Sequence, residues 1–352
     1  MEQIAITIKE FFSARKNQSY LFIFACFLTA LIVKKSGFEW KWCHLFFSYE
    51  FGFLKRGLIG QLFRTLSIST SWDNFAIFST LMLTGVIFAF HNLIKNVSTR
   101  AFLAFALLFV CTPVLLRNLS HDWGRFDQIA LAFIFVLLLC TENIKQFRAL
   151  LCLSPLLLFI HEATAVWALP TILAITFLTD RKSVYFITPV IIICGACILA
   201  FGGLNMDPDV YGAKLVAWAS PIPIYPTVIS TLTESTQSSI ATSLPVLATN
   251  IHTKEGITAI GILLSFIASL FFIKDKVVVG FAILSLLSAC VLFIVALDHF
   301  RWVSLMCFIV LFYLLYAHQK NLIRNKNAFY YYLMTLSILG LFFNPIGIYQ
   351  PY

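Results

Sequence analysis

Residues 277–320 read VVVGFAILSLLSACVLFIVALDHFRWVSLMCFIVLFYLLYAHQK, two apolar runs (277–297 and 303–317) joined by Asp298-His299-Phe300-Arg301-Trp302 with almost no loop. A helix needs roughly 17 to 25 apolar residues to cross the hydrocarbon core of a bilayer. The first run is long enough, and the second is short for a perpendicular crossing. Ionisable residues packed into the bend of such a hairpin lie at a membrane edge, where they are costly unless they pair or bind something.

The same pattern extends over the whole chain. Apolar runs occur at 19–33, 74–93, 101–116, 127–141, 149–160, 164–179, 184–202, 257–273, 277–297, 303–317 and 329–343. Of the 352 residues 60% are hydrophobic, 12% are charged and 37 are Phe, and the mean hydropathy is +0.89. These values exclude an ordinary soluble domain. The expected fold is all-α, a single polytopic transmembrane domain over 1–352 with about eleven transmembrane helices. The run at 149–160 is the shortest, too short to cross perpendicular to the membrane unless it lies in a thinned or protein-lined region.

Charge gives the orientation. Lys and Arg crowd alternate junctions, at Lys95/Arg100, Lys145/Arg148, Arg181/Lys182, Lys274/Lys276 and Lys320/Arg324/Lys326. The positive-inside rule makes these cytoplasmic and places the N-terminus inside. Basic and acidic residues cancel on the other side, so the net charge of +9 belongs to the cytoplasmic face and calls for no nucleic-acid partner. Residues 1–18 are polar and no small-residue cleavage pattern follows the first apolar run, which reads as a retained signal anchor. Residues 203–256 form the one long polar stretch, with Pro208, Pro221, Pro223, Pro226 and a Ser/Thr-rich segment. It is expected to be a periplasmic loop of short helices and turns that covers or contacts a substrate. The nine cysteines are scattered and mostly within apolar runs, so no disulfide framework is expected. Cys194 and Cys197 form a CxxC without a second pair, a weak zinc or redox signal.

Four polar clusters fall at junctions assigned to the outer face. The first, Tyr49-Glu50-Phe51-Gly52-Phe53-Leu54-Lys55-Arg56-Gly57 through Arg64, reads as an amphipathic interfacial helix whose basic face (Lys55, Arg56, Arg64) can hold a phosphate or anchor to headgroups. The second runs from Asn118 to Asp127 and includes His121, Asp122, Trp123 and Arg125. Asp122 and Arg125 are spaced for an i,i+3 ion pair, and a paired arginine still has donors for a phosphate. Trp123 can stack on a sugar ring or anchor at the interface. The third is His161-Glu162, embedded in apolar sequence and therefore expected to face a polar cavity. It lacks the second His of a zinc-protease motif. The fourth is Asp298-His299-Phe300-Arg301-Trp302, which repeats the three-residue acid-to-arginine step of the second.

Outward-facing arginines, a His/acid pair and an apolar body suit glycosyl transfer from a lipid-linked donor. Arginines hold the anionic leaving group, a carboxylate or imidazole takes the proton of the attacking hydroxyl, and aromatic residues line the sugar path. Catalytic candidates are Glu162, His161, Asp122 and Asp298; Glu162 is favoured because burial is expected to raise its pKa toward the working pH. Substrate-binding candidates are Lys55, Arg56, Arg64, His121, Trp123, Arg125, His299, Arg301 and Trp302. No metal or cofactor motif is read.

With these clusters, the run of apolar helices and the large loop in its second half, the chain resembles the O-antigen and capsular polysaccharide polymerases of Gram-negative bacteria. The resemblance covers the chain in outline, and Arg56, Arg125 and Arg301 correspond to that family's periplasmic arginines by location. It implies an inner-membrane glycosyltransferase that polymerises undecaprenyl-pyrophosphate-linked repeat units, with membrane lipid and a chain-length regulator protein as partners. Two alternatives stay open: a transferase using a polyprenyl-monophosphate sugar, and a flippase or small-solute transporter.

Overall fold

The computed structural model describes residues 15–33, 39–204, 206–219, 229, 232–233 and 236–345. In chain order the helices are α1 (Arg15–Val33), α2 (Glu39–Cys43), α3 (Gly57–Thr65), α4 (Trp72–Ile94), α5 (Thr99–Cys111), α6 (Leu116–His121), α7 (Asp127–Leu139), α8 (Ile144–Leu151) and α9 (Leu156–Ile160). They continue with α10 (Thr164–Thr179), α11 (Arg181–Phe201), α12 (Pro208–Ala219), α13 (Thr236–Ile251), α14 (Lys254–Ser269), α15 (Lys276–Ala289), α16 (Val291–Val295), α17 (His299–Gln319) and α18 (Lys326–Gly340). Among the described residues there is no strand, only an isolated bridge between Ile273 and Ile323.

Seven stretches are long and apolar enough to cross a membrane: Arg15–Val33, Trp72–Ile94, Thr99–His121, Arg181–Phe201, Lys254–Phe272, Lys276–Val295 and His299–Gln319. By length and composition the chain is an all-helical, polytopic membrane protein. Helix starts follow local chemistry, since Ser71, Ser98, Asn143, Thr253, Asp275 and Asn325 each accept a backbone N–H of the first turn. Two breaks fall at prolines, whereas Pro170, Pro189 and Pro245 lie inside helices. Thr112 is extended (ψ 141°) ahead of Pro113, which ends α5. Pro155 has no N–H to donate, and the run expected to cross at 149–160 is instead two short helices, α8 and α9, separated by turns.

The core is built around α17, whose residues from His299 to Ala317 are all buried. A helix that is apolar on every side belongs inside protein, and at 1.5 Å per residue its 21 residues run about 30 Å. Phenylalanines join it to its neighbours. Phe109 meets Phe308 edge-on at 6.5 Å between centroids and Phe135 meets Phe312 edge-on at 4.9 Å, while Phe90 stacks on Phe109 at 4.1 Å one layer out. By contrast α11 presents Tyr185, Phe186, Ile192, Ile193 and Leu199 outward, an apolar face suited to lipid.

Contacts between helix ends sort the junctions into two groups. At one end Arg15 donates to Val97 O (3.1 Å), Arg148 pairs with Asp180 (2.7 Å), Lys320 with Glu142 (2.5 Å), and Lys274 N with Leu322 O (2.8 Å). At the other end lie the segment 41–65, the turn 122–126, His161-Glu162, Gly202 and Asp298, held together by the ion pairs described next. In the 203–256 stretch the described residues include α12, of 12 residues, and α13, of 16; residues 205, 220–228, 230–231 and 234–235 lie outside the described set.

Candidate functional site

Arg301 sits in the first turn of the buried helix α17, where the residue is 5% exposed and its guanidinium must find partners inside the protein. It finds three. Nε donates to Asp127 Oδ2 (2.6 Å), Nη1 to Asp298 Oδ2 (3.0 Å), and Nη2 is 2.9 Å from His161 Nε2. Its face also lies 4.4 Å from the Trp302 ring, a cation–π contact.

Arg125 interlocks with this set. Nε donates to Asp122 Oδ1 (3.1 Å) and Nη1 lies 3.3 Å from Asp298 Oδ2, while Lys41 Nζ is 2.6 Å from Asp122 Oδ1. The two acid-x-x-arginine steps are therefore local ion pairs, as their spacing implies, and Asp298 ties them together. Gly124 makes the turn possible: its φ is +89°, and a Cβ there would lie 2.5 Å from the Phe75 ring.

Arg56 closes the group from the far side. It occupies the left-handed region (φ 65°) immediately before α3, a conformation costing a non-glycine residue about 1–2 kcal/mol. Its Nε donates to Glu162 Oε2 at 2.7 Å and its Nη2 to Glu162 Oε1, a side-on bidentate pair. α3 is held against the chain before it by Gly60, where a Cβ would lie 2.0 Å from Phe47 O and 2.5 Å from Leu45 O. The expectation of a continuous interfacial helix with an outward basic face is thus corrected. Residues 49–51 form a separate 3-10 turn, α3 starts only at Gly57, and Arg56 is mostly buried, 13% exposed at the side chain, where it pairs with Glu162.

Four cations, Lys41, Arg56, Arg125 and Arg301, therefore meet four carboxylates, Asp122, Asp127, Glu162 and Asp298. Electrostatics follow from the pairing. Burial works to raise the Glu162 carboxyl, but the charge and hydrogen bonds of Arg56 hold it well below the usual carboxylate range, contrary to the raised value expected from sequence. Burial likewise opposes ionisation of Asp122, which Arg125 and Lys41 keep low. Burial, and then Arg56, push His161 down to about 4. A guanidinium only donates, so His161 Nε2 accepts from Arg301 and the ring proton lies on Nδ1, 3.5 Å from Glu162 Oε2. The backbone N–H of Ala163 also approaches Nδ1, at 3.2 Å; a neutral ring accepts at one nitrogen only, and the shorter, charge-assisted contact at Nε2 decides the tautomer.

Lys41, His44, Arg56, Gly124, Arg125, Phe126 and His161 line a cavity of about 10 Å³, room for about one water molecule. No carboxylate is among its lining residues. Beside it, Tyr49, Glu50, Gln61, Arg64 and Thr65 border an open cleft of about 560 Å³. Tyr49 stacks on Phe53 (5.5 Å), and its ring packs against the Gly57 backbone next to Arg56.

Among the sequence candidates, the structure brings together Arg56, Asp122, Arg125, His161, Glu162, Asp298 and Arg301. Arg64 belongs to the adjoining cleft and pairs with Glu50. Lys55 is half-buried and its backbone N–H donates to Gly202 O (2.9 Å). Trp123 is buried against Phe75 (5.9 Å) and Trp302 under Arg301, so neither presents a face to a sugar. His299 turns away: Nε2 lies 3.2 Å from Ser243 Oγ and Nδ1 3.1 Å from Asn250 Nδ2, both on α13. His121 ends α6, partly exposed. Three members were missed. Asp127 looked like the last residue of a polar run, and Lys41 and His44 are isolated polar residues within the aromatic segment Trp40-Lys41-Trp42-Cys43-His44. A lysine between two tryptophans was the available signal.

Among the described residues, no group of three His, Cys, Asp or Glu side chains is placed to hold a metal ion. Compared with known proteins, the chain matches no family model, no curated protein and no solved structure.

Proposed function

We propose that this protein is a glycosyltransferase of the bacterial inner membrane that polymerises undecaprenyl-pyrophosphate-linked oligosaccharide repeat units at the periplasmic face. The observation that carries the reading is the convergence of four sequence-distant clusters on one ion-paired centre at the end of an apolar helical body. A lipid-linked substrate needs both parts, bilayer for its tail and fixed cations for its phosphates. In this reading the chain crosses the membrane about eleven times with its N-terminus cytoplasmic, the ion-paired end is periplasmic, and a chain-length regulator is a partner.

The chemistry runs as a displacement. The acceptor hydroxyl oxygen bonds to the anomeric carbon of the donor sugar while that carbon's bond to the pyrophosphate oxygen breaks. The leaving pyrophosphate keeps the electron pair and is held by Arg56, Arg125 and Arg301, and the hydroxyl proton passes to a carboxylate. Glu162 suits that role once the pyrophosphate has displaced it from Arg56, because the guanidinium is what keeps its proton affinity low. The open cleft with Tyr49, Glu50, Gln61 and Arg64 offers an aromatic face and hydrogen-bonding groups to the sugars.

The test is genetic and chemical together. Arg125→Ala and Arg301→Ala, at unchanged protein level, are expected to abolish long-chain surface polysaccharide while single repeat units remain. Lysine is expected to rescue poorly, lacking the two-pronged donor geometry. Normal-length chains from both alanine variants overturn the reading, and loss of the single unit as well points to a single-sugar transferase. Reporter fusions after Lys145, Lys182 and Lys276 are expected to read cytoplasmic, and fusions at Ser120 and Ser238 periplasmic.

A further inference from the structure

Away from the ion-paired centre, α5, α14 and α18 enclose a recess of about 280 Å³, close to the size of a small ligand pocket. Its lining includes Pro113 at the α5 break, Gly261, Ile262 and Ser265 on one face of α14, and Leu339 and Phe343 at the end of α18; it contains no ionisable residue. The surface around it is apolar and exposed, with Ile257, Leu264, Leu341 and Phe342 turned outward. In a polytopic membrane protein that surface meets acyl chains.

Arg117 stands beside this recess. Its Nη1 donates to Cys111 O (3.2 Å) and Gly340 O (3.0 Å), the backbone that frames the recess. It is half-buried in a segment otherwise buried from Thr112 to Ser120. Among the described residues no carboxylate lies within ion-pair distance of it. The arginines of the ion-paired end, Arg56, Arg64, Arg125 and Arg301, each pair with an acid, whereas Arg117 meets backbone carbonyls alone. Such a cation is expensive in a membrane unless an anion meets it, and a guanidinium takes a phosphate through two parallel N–H bonds.

We propose that the recess and Arg117 form a binding site for an anionic phospholipid, with one acyl chain in the recess and the phosphate paired to the guanidinium. Charge complementarity selects the headgroup, and the small volume suits part of a single chain. The site does not depend on the transferase reading.

The experiment uses the full chain purified in a neutral detergent, melted with dioleoylphosphatidylglycerol or dioleoylphosphatidylcholine added. A ligand that binds only the folded state raises the melting temperature as its concentration passes its Kd. Phosphatidylglycerol is expected to raise it by several degrees more than phosphatidylcholine. Arg117→Gln removes that difference, and Arg117→Lys keeps part of it. Gly261→Leu removes the response to both lipids without loss of folded protein, because a Cβ at Gly261 meets nothing within 4 Å. Equal response to the two lipids in the unmutated chain, or a phosphatidylglycerol preference that survives Arg117→Gln, overturns the proposal. So does stronger stabilisation by undecaprenyl phosphate than by phosphatidylglycerol, which assigns the recess to the polyprenyl carrier.

Discussion

Replacing Arg56 by Met leaves the Glu162 carboxylate in place without its bidentate partner, and the outcome separates an ion pair that matters from one that is incidental. Breaking a buried pair on one side costs about 3–5 kcal/mol. Glu162 is 30% exposed at the side chain and Arg56 13%, so solvent screening reduces the expected loss to about 2–3 kcal/mol. Relief of the left-handed strain does not offset it, since Met at 56 keeps the same backbone. Glu162→Gln is expected to cost less, because an amide oxygen still accepts from the guanidinium. The double variant, with no charge left to desolvate, is expected to lie nearer the unmutated chain than Arg56→Met does.

The sign of the pH effect sharpens this test. In the unmutated protein the Glu162 proton affinity is held well below the usual range, so its stabilising contribution is present above about pH 4.3, the ordinary glutamate value, and is lost only as pH falls below that. In Arg56→Met the main lowering influence is gone and burial raises the carboxyl instead. The folded state then binds a proton more tightly than the unfolded state, and the deficit shrinks as pH falls from 7.5 toward 5, by at most about 1.4 kcal/mol per pH unit. Melting curves of the purified variants in detergent at pH 5, 6 and 7.5 read this directly. Should Arg56→Met be as stable as Glu162→Gln at pH 7.5 and show no recovery on acidification, the pair contributes nothing to folding and the burial argument fails.

The Asp127–Arg301 contact predicts a double-mutant coupling of about 2–3 kcal/mol between Asp127→Asn and Arg301→Met, read from unfolding midpoints; simple additivity refutes it. Gly60→Ala forces a methyl group onto two backbone carbonyls and is expected to abolish folded yield by size-exclusion chromatography, whereas Gly261→Ala is expected to be neutral. Ser243→Ala removes the hydroxyl between His299 and the carbonyl of Ala296. Hydrogen exchange in 236–251 is expected to rise about tenfold or more, the kinetic equivalent of about 1.4 kcal/mol, with exchange in α17 unchanged.

Much of the helical architecture was legible because its signals are local. Hydropathy marks each run, Ser, Asn, Asp or Thr caps mark six of the starts, and the run at 164–179 coincides with α10. The failures are places where tertiary contacts overrule periodicity. Residues 51–63 have the spacing of an interfacial helix, yet Glu162, more than a hundred positions later, turns Arg56 inward. The acid-x-x-arginine steps revealed two ion pairs, but only packing shows that Asp298 joins them and that Asp127 takes the other side of Arg301. Lys41 and His44 carry no spacing signal, since what they meet lies far along the chain, Asp122 for Lys41 and the Phe126 ring for His44. Sequence offers Trp123 as a sugar-stacking or interfacial residue and Trp302 as a substrate contact, yet both are buried, beside Phe75 and Arg301.

The balance of charge at the site constrains whatever mechanism it serves. Each of the four cations already has a carboxylate, and the cavity among Lys41, Arg56 and Arg125 admits about one water molecule. A phosphate group cannot enter that arrangement as a simple addition. It has to take the place of a carboxylate, and the least costly one to displace is Glu162, the most exposed of the four acids at 30% against 9%, 14% and 4% for Asp122, Asp298 and Asp127. Displacement keeps Arg125 and Arg301 on their own carboxylates while they donate further N–H groups to the phosphate, and releases Glu162 to accept a proton. On the proposed function, anion binding and activation of the base are therefore one event. Arg56→Met is then expected to uncouple them, with a free carboxylate and no bound phosphate.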